Sequence, residues 1–214
     1  MQRRFLSLAD HPVKVEQRVG TEPPYLVGYA APFYQRGNAG TEYQLYDDLV
    51  ERIMPGCFDR ALKEDDCRAL FNHNVDFILG RASAGTMKLS VDKVGLRYEV
   101  QMPDTQTARD VMESIRRGDV TGSSFSFIPH EQKGMVHFKE GDRYVRELHS
   151  VRLFDVGPVT FPAYSGSTTG VRALDDPAEA RKELEAWLQA ESLTVQLAGY
   201  HKRALEAEAL LGEI

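Results

Sequence analysis

Asp104–Phe127 reads DTQTARDVMESIRRGDVTGSSFSF and carries the two periodicities that decide the fold within one stretch. Ala108, Val111, Met112 and Ile115 recur at helical spacing and form one apolar stripe, so the spacing predicts a helix over 104–117. Asp104 or Thr105 can cap its start, Arg116 and Arg117 suit the negative end of its dipole, and Gly118 suits a left-handed stop. From Val120 the period changes to two. In an extended chain Ser124 and Ser126 share one face, while Phe125 and Phe127 share the other.

Outward from this stretch the pattern is mostly short strands. Val13, Val15 and Val19 partly alternate with Lys14, Glu16 and Arg18. Strands are expected at Tyr25–Ala31, Arg68–His73, Thr86–Val91, Gly95–Met102, Val120–Ile128, Met135–Phe138 and Tyr144–Val156, each bounded by Gly, Pro or Asp/Asn turns. A short helix is expected at Phe58–Lys63, after the Pro55-Gly56 turn. Beyond residue 173 the composition becomes rich in Ala, Glu and Leu. Asp176-Pro177-Ala178-Glu179 is a strong helix start, Leu184, Trp187 and Leu188 form a stripe, and a second run follows Gly199. The expected architecture is mainly β with helices (α+β): a compact antiparallel β-barrel or sandwich over 1–172, crossed by a central helix, with a helical C-terminal tail over 173–214.

Composition narrows the function. Of 214 residues 42% are hydrophobic and 27% charged, which excludes collagen-like, mucin-like and wholly disordered chains. No apolar run approaches the ~18–20 residues of a membrane span, so no membrane partner is expected. The opening MQRRFLSLADHPVK has only a token apolar run and no small-residue cleavage site, so no secretion signal is expected. Cys57 and Cys67 are expected as free thiols of a cytosolic protein. The net charge of −6, with no block of basic side chains, suggests no nucleic-acid partner.

The six histidines show no metal spacing, and the chain lacks HExxH, CxxC, GxGxxG, a phosphate loop and GxSxG, so neither metal nor cofactor is expected. What remains is the serine cluster and His73 at the end of the apolar run Ala69–Phe71. Taken alone, the serines fit a half-buried strand and the histidine fits a turn held by Asn72 or Asn74.

Five segments in order change that assessment: Leu26–Pro32 (LVGYAAP), Glu51–Asp59 (ERIMPGCFD), Leu70–Leu89 (LFNHNVDFILGRASAGTMKL), Thr107–Phe127 (TARDVMESIRRGDVTGSSFSF) and Leu153–Tyr164 (LFDVGPVTFPAY). Together they resemble the prohead (capsid-maturation) serine proteases of tailed bacteriophages, related in fold to the herpesvirus assemblins. Cys57 stands where the family usually has alanine. The resemblance implies a β-barrel of assemblin type and a serine endopeptidase without cofactor. Its substrates would be the major capsid protein and scaffold, and itself, inside the assembling procapsid in the host cytoplasm.

The resemblance puts the nucleophile on Ser124 and the general base on His73, with Ser123 and Ser126 as neighbouring candidates. Histidine suits the role because its pKa lies near neutrality. The third member is expected on the strand Arg146–Val156. The phage enzymes imply an acidic residue near position 150 and the assemblins a second histidine, whereas this chain has Ser150 flanked by His149. The expectation is His149, turned inward by a β-bulge, with Asp155 as the alternative and Glu147 and Ser150 behind them. The oxyanion would fall to the backbone around Gly157 and Val159, in a loop after that strand. Assemblin-like activation implies a homodimer or higher oligomer, for which the Leu184/Trp187/Leu188 stripe is the candidate surface; the tail also fits a targeting or scaffold-like segment. The competing reading is a non-catalytic docking factor that keeps the protease fold.

Overall fold

The computed structural model describes residues 1–6, 11–20, 23–130, 134–161 and 181–192 of the 214-residue chain. The strands in chain order are β1 (Gln2–Leu6), β2 (Lys14–Glu16), β3 (Tyr25–Pro32), β4 (Glu42–Tyr46), β5 (Leu49–Ile53), β6 (Arg68–Leu70) and β7 (Ile78–Arg81). They continue as β8 (Met87–Val91), β9 (Gly95–Gln101), β10 (Gly122–Pro129), β11 (Met135–Glu140), β12 (Arg143–Leu148) and β13 (Val151–Val159). Helix α1 (Ala61–Glu64) lies between β5 and β6, and α2 (Gln106–Arg117) between β9 and β10.

Three sheets result, ordered β1-β10-β13-β6-β7, β11-β12-β5-β4 and β2-β3-β9-β8. Pairing is antiparallel except for β5 with β12 and β6 with β13. The protein is mainly β with few helices, and the pairing among the described residues forms three open sheets rather than a closed barrel.

Helix α2 forms as its spacing predicts. Thr105, rather than Asp104, accepts from the Ala108 N–H at 3.2 Å. Gly118, at φ 82°, ends the helix with its N–H on the Ile115 carbonyl, a conformation any Cβ would strain. Ala108, Val111, Met112 and Ile115 are buried in one core shared with Phe33, Phe58, Tyr98, Phe125 and Phe127. Phe58 meets Phe125 edge-on at 5.7 Å and Phe125 stacks on Phe127 at 4.9 Å, anchoring the aromatic face of β10.

Two departures from the sequence expectation bear on the site. The single strand expected over Tyr144–Val156 is two strands in different sheets. His149 and Ser150 form the break, both donating their N–H to the Gly134 carbonyl. Strands β1, β4, β5 and β7 were outside the expected set. In β5 every residue is buried, including Glu51 and Arg52, and charged residues in a strand's interior mask its apolar pattern.

The chain divides into two compact units, Met1–Asp175 and Asp176–Ile214. In the second, residues 181–192 are helical. The run expected after Gly199 lies outside the described residues.

Candidate active site

Three consecutive strands of the first sheet each present one polar group to the same place. Ser124 lies on β10, Asp155 on β13, and His73 in the turn three residues past the end of β6. His73 Nε2 is 2.5 Å from Ser124 Oγ, and Nδ1 is 2.5 Å from Asp155 Oδ1. All three are buried, Ser124 completely. A carboxylate can only accept, so Nδ1 carries the hydrogen toward Asp155; in the neutral ring Nε2 then presents its lone pair to the serine hydroxyl.

The loop holding His73 is locally strained and locally tied. Asn72 and His73 have φ of 53° and 56°, a left-handed pair of non-glycine residues that costs of order 1–3 kcal/mol each. The Asn72 N–H donates to the Pro158 carbonyl, its amide donates to Thr160 Oγ1 at 3.0 Å, and its Oδ1 accepts from the Thr160 N–H at 2.9 Å. The Asn74 side chain accepts from the Asp76 N–H. These bonds hold the imidazole loop against the end of β13.

Asp155 reaches the site because of a bulge. Ser126 pairs with Asp155, but the next residue, Phe127, pairs with Leu153, leaving Phe154 as the extra residue of β13. In an unbroken strand Leu153 and Asp155 would share a face. The bulge lets Leu153 and Val156 enter the core while Asp155 turns to the serine face. Its second oxygen accepts from Ser126 Oγ.

The expected site residues therefore divide. His73 and Ser124 are brought together. His149 is not with them: the expected inward bulge lies at Phe154 instead, and the imidazole of His149 is exposed, 3.1 Å from Glu147 Oε2. Asp155, the alternative, occupies the position beside His73. Ser123 faces away and bonds Tyr98 at 2.7 Å, and Ser126 serves Asp155, so neither meets the imidazole.

Gly157 and Val159 lie within β13 rather than in a loop after it, opposite Ser124 and Gly122. A Cβ on Gly157 would stand 2.0 Å from the Leu70 carbonyl oxygen, so the close approach of β6 requires glycine there. Cys57 and Cys67 are free and buried, and burial pushes both thiols well above their usual range, which removes them as nucleophiles. The partnership of Ser126 with Asp155 had no signal in the sequence beyond the shared face of the two serines.

The sequence model of the caudovirus prohead serine proteases matches residues 12–180. Among solved structures the chain is similar to the bacteriophage T4 capsid assembly protease gp21, with a TM-score of 0.44 and 10% identity over 75% of this chain and 98% of that one. No curated protein matches. A family match over most of the chain leads to one statement of kinship: this protein belongs to the caudovirus prohead serine protease family.

Proposed function

We propose that the protein is a serine endopeptidase that cuts scaffold or major capsid protein, and itself, within the procapsid during phage head maturation. The observation that carries this reading is the pair of 2.5 Å contacts linking Ser124, His73 and Asp155. Ser124 attacks the scissile carbonyl while His73 Nε2 takes its proton, then returns it to the leaving amine. Asp155 keeps the hydrogen on Nδ1 and stabilises the imidazolium, and Ser126 holds the second carboxylate oxygen. Gly157 and Val159 lie on β13, across β10 from the edge where β1 pairs, so we do not assign their N–H groups to the oxyanion. We assign no role to His149.

The test is intact-mass analysis of the protein beside Ser124→Ala, each with and without its capsid protein. Trimming of either chain only by the wild type supports the reading, and the masses give the cut sites. Both versions remaining whole inside assembled shells would overturn it in favour of a docking factor. One observation favours that rival: Ser124 has no exposed surface. An assemblin-like homodimer belongs to the same proposal, and light scattering of a fully active monomer would contradict it.

A further inference from the structure

One neighbour of the buried Ser124 is β1. This strand pairs antiparallel along the outer edge of β10, with Phe5 opposite Ser124, and the Ser124 hydroxyl donates to the Arg4 carbonyl at 2.8 Å. A hydroxyl has one hydrogen to give; donated to Arg4, it is withheld from His73. β1 also lies outside residues 12–180, the part of the chain that the family shares.

The Arg4 side chain enters a constructed pocket on the other face of β10. Its Nε and Nη2 reach the two oxygens of Glu51 at 2.5 and 2.9 Å, and its guanidinium lies 5.3 Å from the centre of the Phe127 ring. Glu51 belongs to a row built in one register across the second sheet. Tyr43 on β4 pairs with Glu51 on β5, Glu51 with Arg146 on β12, and Arg146 with His137 on β11. Glu51 and Arg146 have no exposed side-chain surface, and Arg146 Nη1 bonds Glu51 at 2.9 Å. The Tyr43 hydroxyl is buried with no hydrogen-bond partner among the described residues, and burial beside the Glu51 carboxylate pushes its pKa up.

A buried ion pair is a poor means of stabilising a fold, because desolvation consumes most of its Coulomb energy; its better-attested use is to fix which strand seats and in which register. Without Arg4, Glu51 and Arg146 still form a neutral pair, so the row does not need β1 for its own charge balance. With Arg4 seated, one carboxylate faces two guanidiniums, and the bidentate geometry fits a planar fork rather than a lysine point charge.

We infer that β1 stands in the place of a substrate strand, and that Glu51 in this row reads an arginine immediately before the scissile bond. The word substrate rests on the protease reading above; the arginine site does not. A displacing strand in the same register puts an arginine side chain on Glu51 and that residue's carbonyl carbon beside Ser124 Oγ. The C–N bond that follows breaks as Oγ forms the acyl ester, the serine proton passes through His73 to the leaving amine, and water then hydrolyses the ester.

Two measurements separate the inferences. The first uses the full chain carrying Ser124→Ala and Arg4→Ala, so that nothing turns over and β1 loses its hold. Labelled peptide Gln-Arg-Arg-Phe-Leu is compared by fluorescence anisotropy with versions holding lysine, citrulline or alanine at the second arginine. Arginine is expected to bind roughly ten-fold tighter than the uncharged isostere citrulline, and lysine between them. Glu51→Gln should erase the difference; the citrulline peptide makes the same test from the ligand side if that variant does not fold. Equal binding of arginine and citrulline, or no binding, overturns the arginine site. The second uses Arg4→Ala with Ser124 intact. Cleavage after arginine, about ten-fold faster than after citrulline, supports both readings. Cleavage indifferent to that residue, or at another bond, sinks the inference and leaves the protease; selective binding without any cleavage sinks the protease and leaves the site.

Discussion

Two buried carboxylates, Asp155 of β13 and Glu51 of β5, serve the opposite faces of β10, and their partners make them do different things. Asp155 faces an imidazole, whose two ring nitrogens can both accept and donate a proton, so the pair can move one. Glu51 faces the guanidiniums of Arg4 and Arg146, which offer donors and no acceptor, so that cluster only positions. Placement follows the same division. Asp155 is aimed by a bulge and His73 by a strained loop, whereas Glu51 sits at an ordinary register position with paired strands on both sides.

The largest effect should come from the chemical pole of this contrast. Ser124→Ala or His73→Ala is expected to lower capsid-protein cleavage by about 10⁴-fold or more, read by intact mass over time. The midpoint of unfolding should move little with Ser124→Ala. Next, Asp155→Asn should cost about 10³–10⁴-fold, because the wrong tautomer then faces the serine. His149→Ala should stay within about two-fold, since its exposed ring bonds the surface carboxylate of Glu147. A reversal of these two results would return the third position to His149.

At the positioning pole the effect moves from rate to stability. Glu51→Gln leaves buried guanidiniums uncompensated and should cost about 3–5 kcal/mol in urea unfolding. Arg4→Ala should cost clearly less, because Glu51 and Arg146 remain paired. Equal losses would mean that β1 is an integral part of the core. Ser126→Ala removes one bond to Asp155 and should slow cleavage roughly ten-fold; a loss as large as that of Ser124→Ala would make Ser126 the nucleophile.

The remaining effect is on the dependence of stability on pH. Burial, and then the nearby Arg146, hold the His137 pKa down at about 4, against 6.5 for a free imidazole. Between those values the unfolded chain binds more protons than the folded one. The contribution of His137 is therefore complete above pH 6.5 and lost as pH falls toward 4. His137→Phe should flatten the slope of stability against pH in that window, as measured by urea titrations at several pH values.

Helix α2, the alternation of β10 and the segments around His73 and Ser124 were legible in the sequence because each depends on a short-range pattern: an apolar stripe, a period of two, a turn with its asparagines. The family itself was legible for the same reason, through five such segments in order. Asp155 was legible only as an alternative. Strict alternation from Leu153 places it in the core, and one extra residue at Phe154 reverses that. His149 looked better placed because residues 144–156 read as one strand, while the chain breaks there to change sheets.

The sequence by itself thus determined the class of fold and the helix-to-strand junction, both written in contacts a few residues long, whereas the pairing of Ser124 with His73 was only implied by the family resemblance. Only the tertiary structure decided which acid meets His73, that β1 pairs beside Ser124, and that Arg4 meets Glu51. Those depend on bulges, sheet changes and pairings between residues far apart in the chain. Buried charges such as Glu51 and Arg146 carry no apolar pattern by which a strand interior can be recognised.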